Sequence, residues 1–226
     1  MSSPLFHLYT FYRSSCSARL RITLNLKSVP YSSGYVKLYE NEQYAPKHRE
    51  LNPSGSVPVL IHMTPESDGV KFPIPQSIAA LEYLEEVIPD HPLLPPLSQP
   101  LERAKVRTLV NVVACDIQPV TNRRTNVAIA AFGQSSQDWC NQFTTRGLQA
   151  YEGTVSKTAG RYSVGDQITL ADVCLVPAVW NAEMYKVDLA QFPTVSRIYG
   201  TLSQMEAVQK AHWKNQPDTP EDGALL

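Results

Sequence analysis

The chain has no CxxC pair: its four cysteines, Cys16, Cys115, Cys140 and Cys174, lie far apart. A dithiol redox centre built on Cys16 needs a second cysteine at position 19, and that residue is Arg19, so disulfide reductase chemistry is disfavoured. The five histidines, His7, His48, His62, His91 and His212, share no ligand spacing with one another or with cysteine, which argues against a metal site. No apolar run approaches the length of a membrane span. The opening MSSPLFHLYTFYRSS lacks the basic and apolar regions of a secretory signal, so the expectation is a cytoplasmic protein with reduced thiols. Charge of one sign is not in excess either. The 20 Lys and Arg face 21 Asp and Glu, for a net charge of −1, and nothing in that balance suggests a nucleic-acid or membrane partner.

What the 226 residues do contain is enough chain for one large domain or two modest ones. The clearest boundary is PDHPLLPPLSQP, Pro89 to Pro100, where five prolines in twelve residues exclude a helix interior or a central strand. The expected organisation is therefore a first domain over 1–88, a stiff linker over 89–100 and a second domain over 101–226. Before the linker, strand and helix patterns mix. PLFHLYT reads as a strand, and Ser15 to Leu26 as a helix with Ala18, Ile22 and Leu26 on one face. Tyr35 to Leu38 reads as a second strand and Tyr44 to Leu51 as a short helix. Val57 to His62 and Val70 to Ile74 read as strands, and Ser77 to Val87 as a helix. That is a β-α-β-α-β-β-α order, an α/β unit. After the linker the signals are helical: Leu101 to Val113, a piece beyond a QPVTN break ending near Ala131, Gln137 to Lys157 capped by Ser136, Leu170 to Tyr185, and one or two short helices in Thr194 to Gln209. The tail QPDTPEDGALL is polar and is expected to be loosely attached.

Three short stretches carry chemistry. RSSCS, Arg13 to Ser17, joins the first strand to the first helix. A helix start offers free N–H groups and a positive dipole end, and the hydroxyls of Ser14, Ser15 and Ser17 add donors for a thiolate; equally, these serines serve as ordinary helix caps. Cys16 is either a half-buried thiol or a single-cysteine nucleophile. In LNPSGSVPVL, Val57-Pro58 opens a strand. A cis bond there presents the Val57 backbone to an incoming peptide, whereas a trans bond makes an ordinary strand entry. In PQSIAALEYLEE, Gln76 and Ser77 stand at a helix start, suited to a carboxylate or simply to capping. Thioredoxin-like domains bring three such segments to one edge of the sheet, where they suit a small peptide with a thiol and a free carboxylate, namely glutathione. A fourth stretch, VGDQITLADVCLVP, is structural: Thr169 and Asp172 have the spacing of a capping box.

These residues resemble the cytosolic glutathione transferases over nearly the whole chain. VPVL, PQSIAALEYLEE and TLADVCLVP are marks of that superfamily, and SSCS-A-RLRITL is similar to the signature of its zeta class, as are IQPVTN, NAEMYKVDL and QPDTP. The resemblance implies a thioredoxin-like glutathione-binding domain followed by an all-α domain, and a homodimer. It implies a glutathione-dependent maleylacetoacetate isomerase of tyrosine and phenylalanine breakdown: a thiolate adds to the cis double bond, the resulting single bond rotates, and elimination returns glutathione. A general transferase that conjugates or dehalogenates small electrophiles, and a non-catalytic binding module, are the alternatives. Carried over by position, Ser14 holds the thiolate, Ser15 assists, and Cys16 lies beside the sulfur. Gln76 and Ser77 hold the γ-glutamyl end, Val57 with Pro58 pairs with the cysteinyl unit, and Gln43, Gln118 and Asn122 contact outer parts of the tripeptide. Arg13 attracts a substrate carboxylate. The sequence departs from its relatives at Ala18, where many carry Trp, and at Met184, where some carry Arg.

Overall fold

A computed structural model of the chain describes residues 5–63 and 72–221. The contacts divide it into two units, Met1–His91 with Glu206–Leu226, and Pro92–Met205.

The first unit is built on a four-stranded mixed sheet of order β2-β1-β3-β4. Strand β1, Phe6–Thr10, buries alternate residues, Phe6, Leu8 and Thr10, as a pleated strand requires. It pairs in parallel with β2, Tyr31–Tyr35, and antiparallel with β3, Val59–His62. Strand β3 pairs antiparallel with β4, Pro73–Pro75. Strand β2 lies four residues before its expected position. Its sequence, YSSGY, lacks apolar alternation, and its residues are only partly buried, so the pattern that usually betrays a strand is missing. Gly34 is needed there because a Cβ would stand 2.8 Å from His7 Nε2 and 2.9 Å from the Tyr9 ring. The expected strand Val70 to Ile74 begins at Pro73 within the described residues; 70 and 71 lie outside them.

Helix α1, Ser15–Leu26, packs against α3, Ser77–Val87, and α10, Glu206–Ala211; the short α2 spans Pro46–Leu51. Helix α1 is buried from Ser17 to Leu24, and that run includes Arg19 and Arg21. At its C-terminal end the buried Lys27 ammonium meets the Glu85 carboxylate at 2.8 Å. It also donates to the carbonyls of Ile88 (2.8 Å), Asp90 (3.1 Å) and His91 (3.2 Å), which fixes the start of the proline-rich linker. A buried ammonium is tolerated only with such compensation.

The tail corrects the expected boundaries. From Glu206 on, the chain groups with the first unit rather than with a domain over 101–226. Its described part, up to 221, is not loosely attached: Asn25 Nδ2 donates to the Ala207 carbonyl at 2.9 Å, Arg21 Nε to Ala211 at 3.2 Å, and Asp218 Oδ2 accepts the Tyr12 N–H at 2.8 Å; residues 222–226 lie outside the described residues. Of the polar stretch that suggested a free end, Asp218 supplies one of these bonds; the other two run from α1 side chains to alanine carbonyls just before it.

The second unit is helical, with α4 at Pro100–Asn111, α5 at Gln118–Thr121, α6 at Arg123–Ala131, α7 at Ser136–Val155, α8 at Leu170–Met184 and α9 at Pro193–Leu202. Between α4 and α5 the helix widens to a π segment, Val112–Ile117, closed by Gln118 N–H to the Val113 carbonyl. Pro119 lacks the N–H that an α-helical bond would need, which accounts for the widening. The break expected at QPVTN therefore falls at its last residue, Asn122. Helix α7 crosses this segment at Gly147, where a Cβ would fall 2.1 Å from Ile117 Cγ1. Its cap is Ser135, which accepts the Asp138 N–H at 3.1 Å, not Ser136 as expected; the Ser136 hydroxyl instead donates to the Asn126 carbonyl at 2.9 Å. Helix α8 is buried on nearly every side. At its start, the buried Asp172 carboxylate accepts the Thr169 N–H (2.8 Å) and hydroxyl (2.9 Å) and the Ser163 N–H (2.8 Å).

Candidate active site

The sheet register gathers the three chemical stretches. Tyr9 lies opposite Val59, and Val59 lies opposite Pro75. The end of β1, the start of β3 and the end of β4 are thus neighbours, so Phe11–Ser17, Val57–Pro58 and Gln76–Ser77 all leave the sheet at the same end. Thr10 pairs with Tyr35 at that end too, which brings in Val36.

Ser14 is the N-cap of α1, with extended backbone at φ −70°, ψ 111°. Its Oγ accepts the Ser17 N–H at 3.1 Å. A hydroxyl is one donor and two acceptor sites, so this bond uses an acceptor site and leaves the Ser14 proton for an anion at the helix start. Ser15 and Cys16 follow in the first turn, both half-buried, and Cys16 is a free thiol. Arg13 Nη1 donates to the Tyr39 hydroxyl at 3.4 Å across an exposed edge.

Ser77 is the first residue of α3 and is buried. Its Oγ accepts from Arg19 Nη1 at 3.0 Å. This second serine at a helix start also has an acceptor site used by the protein and its proton available. Gln76 precedes it as the exposed cap, at φ 71°, ψ 113°. A positive φ in a non-glycine residue is strained by about 1–3 kcal/mol, and such strain gathers at functional sites.

The Val57–Pro58 peptide bond is cis, which answers the alternative left open by the sequence. Val57 belongs to a small buried cluster with Phe11, Tyr12 and Val36, against which Tyr9, Leu38 and Trp213 pack. The loop before it is braced at Ser56, whose carbonyl accepts from the Asn52 amide at 2.8 Å and lies 2.9 Å from His48 Nε2. Gln43 is buried, and its side-chain oxygen has no hydrogen-bond partner among the described residues. A buried orphan of this kind calls for a ligand donor or an equivalent.

Gln118 and Asn122 belong to the helical unit. Gln118 opens α5, and Asn122 caps α6, with its Oδ1 accepting the Thr125 N–H at 3.1 Å. Ala18 is buried in α1, and Met184 ends α8. Among the described residues, no group of three His, Cys, Asp or Glu side chains could hold a metal, and no helix is long and apolar enough to cross a membrane.

Reading the sequence did not single out Arg19, Arg21 or Asp218. The available signal was R-x-R inside an otherwise apolar helix: a buried guanidinium must be paired, and here its partners are the site segments.

Comparison with known proteins bears on this geometry. The Glutathione S-transferase, N-terminal domain family matches residues 13–87, and the Glutathione S-transferase, C-terminal domain family matches residues 114–206. The chain is 52% identical over 223 residues to the maleylacetoacetate isomerase maiA of Aspergillus fumigatus, covering 98% of this chain and 96% of that one. It is 49% identical to a probable glutathione S-transferase of Coccidioides immitis, covering 98% and 99%. Among solved structures, the holo maleyl pyruvate isomerase, a bacterial zeta-class enzyme, superposes with a TM-score of 0.86 at 36% identity, covering 95% of this chain and 100% of that one. Maleylacetoacetate isomerase from Anaeromyxobacter dehalogenans, with dicarboxyethyl glutathione and citrate bound in its active site, also gives 0.86 at 36% identity, covering 98% and 96%. With both domains matched and the mixed sheet and helical unit of the cytosolic transferase fold in place, the chain belongs to the glutathione S-transferase family, in its zeta class.

Proposed function

We propose that the protein is a glutathione-dependent maleylacetoacetate isomerase, forming fumarylacetoacetate in the breakdown of tyrosine and phenylalanine. The observation that carries the reading is the pair of serines at two helix starts on one end of the sheet. Ser14 and Ser77 each accept a protein N–H and retain a proton for an anion. Glutathione is a peptide with two anionic ends and a thiol, and the fit extends further. The orphaned Gln43 oxygen suits a peptide donor, and strained Gln76 suits a cap shaped by what it holds. When bound, glutathione supplies the thiolate that adds to the cis double bond and is released after rotation.

In this reading Ser14 donates to the thiolate and the N–H groups of the first α1 turn, with Ser15, add positive potential. Cys16 lies beside the sulfur without being required. Ser77 and Gln76 hold the γ-glutamyl carboxylate, Val57 and Pro58 align the peptide, and Gln43, Gln118 and Asn122 contact its outer parts. Arg13 draws in a substrate carboxylate. Residues 1–88 are the glutathione-binding part. The chain acts as a homodimer in the cytoplasm, which is in keeping with its family.

The test is turnover of maleylacetoacetate with and without glutathione, beside generic electrophiles. Glutathione-dependent isomerisation is expected. Conjugation without isomerisation would instead make the chain a general transferase, a reading to which Ala18 and Met184 give some weight.

A further inference from the structure

Strand β1 ends at Thr10, so the next residues have no sheet partner. Tyr12 is only 3% exposed, and its peptide groups must find partners elsewhere. Two side chains supply them. Arg21 of α1 donates to the Tyr12 carbonyl at 3.0 Å, the Phe11 carbonyl at 3.3 Å and the Thr10 hydroxyl at 2.9 Å. Asp218, in the chain's last described stretch, accepts the Tyr12 N–H at 2.8 Å. The same Arg21 holds the tail through the Ala211 carbonyl, and Trp213 of the tail packs against the cluster of Phe11, Tyr12, Val36 and Val57. The tail braces itself as well: the Gln216 amide donates to the carbonyls of Lys210 (2.8 Å) and His212 (2.9 Å), and the Thr219 hydroxyl to that of Trp213.

The connection to the thiol site is short. The Ser14 N–H donates to the Phe11 carbonyl at 3.0 Å, closing a turn over Phe11–Ser14. Whatever fixes Tyr12 in the middle of that turn fixes where Ser14 enters α1. We infer that Asp218 is a positioning residue for the thiolate site: by accepting the Tyr12 N–H, the C-terminal segment sets the placement of the Ser14 hydroxyl. The inference rests on the glutathione-binding reading above. It makes the tail a part of the site of the first unit, 206 residues from Tyr12 in sequence.

The test compares full-length wild type, D218A, D218N and T219A. Two quantities are read: glutathione affinity by calorimetry, and the pH midpoint of the ultraviolet absorbance of the bound thiolate. In D218A the Tyr12 N–H loses its acceptor, so affinity should fall about 5- to 20-fold and the midpoint should rise. D218N keeps an acceptor oxygen and should recover most of both. A role in stability alone would lower the melting temperature without moving the midpoint. T219A removes the bond that ties the Asp218 segment to Trp213 and should shift both readouts slightly in the same direction; it decides the matter should D218A fail to fold. Folded D218A with wild-type affinity and midpoint overturns the proposal, as does D218N as impaired as D218A. If the wild type itself does not bind glutathione, the underlying reading falls and this one with it.

Discussion

Arg19 and Ser77 join the middle of α1 to the first residue of α3 through a buried hydrogen bond of 3.0 Å. The guanidinium occupies one acceptor site of the hydroxyl and so sets the direction of its proton. Ser77→Ala removes the donor itself, and Arg19→Met removes what orients it. Both should raise the KM for glutathione, by about 5- to 30-fold from the loss of a charge-assisted or ligand hydrogen bond, while kcat at saturating glutathione changes little. Arg19→Lys should not restore the wild type, since an ammonium does not reproduce the planar fork. Steady-state kinetics over a glutathione series decides this. A fall in kcat with KM unmoved would remove Ser77 from ground-state binding.

Ser14→Ala deletes the hydroxyl that caps α1 and faces the helix start. Isomerase activity should drop by about 10²–10³, the usual cost of one donor to a developing or resting anion. Cys16→Ala should keep much of the activity. The reverse order of losses would make Cys16 the nucleophile.

Lys27→Met leaves the Glu85 carboxylate buried without its cation and three carbonyls without a donor. About 3–5 kcal/mol of stability should be lost. The double variant K27M/E85L should recover part of it, because the buried carboxylate that lost the Lys27 ammonium is then gone. Denaturant unfolding of the three proteins measures this, and additive losses in the double variant would contradict the pairing.

Thr169→Ala removes one of the donors to the Asp172 carboxylate and should cost about 1 kcal/mol. Asp172→Ala strips the acceptor from two buried N–H groups and a hydroxyl, and should cost about 2–4 kcal/mol. Glutathione affinity per folded molecule should be unchanged in both, since the motif only starts α8.

His212 stands in the tail, and its Nδ1 accepts the Lys214 N–H at 3.2 Å. Burial, with the nearby charges of Lys214 and Arg21, holds its pKa below the ordinary value. The folded state therefore binds fewer protons than the unfolded one in this range. The residue's contribution is fully present above the ordinary imidazole value of about 6.5 and is lost as pH falls through the lower folded value. Melting temperature should decline on acidification below about pH 6.5, and His212→Gln should flatten that decline. Parallel curves for the two proteins would exclude the effect.

Much of the molecule was legible in order along the chain. The extents of α1 and α3, the VPVL strand, the proline-rich boundary and the Thr169–Asp172 spacing are local patterns, and local patterns survive in a sequence; that α1 buries eight consecutive residues rather than one apolar face does not show there. The serines were legible as helix starts for the same reason. Strand β2 was misplaced because YSSGY is stabilised by its pairing with β1 and by the room Gly34 leaves for His7 and Tyr9, neither of which is a property of those five residues.

By itself the sequence determined strands β1 and β3 and helices α1 and α3 of the first unit, the class signature and the chemistry that Ser14, Val57 and Ser77 can offer, because those depend on residue type and short-range spacing. Only the tertiary structure decided that the three stretches leave the sheet at one end, that Arg19 and Arg21 are interior charges with site segments as their partners, and that the polar tail is docked. The physical reason is the same in each case. A buried guanidinium or peptide N–H must be satisfied, and its partner need not be near in sequence: Arg19 finds Ser77, and Tyr12 finds Asp218.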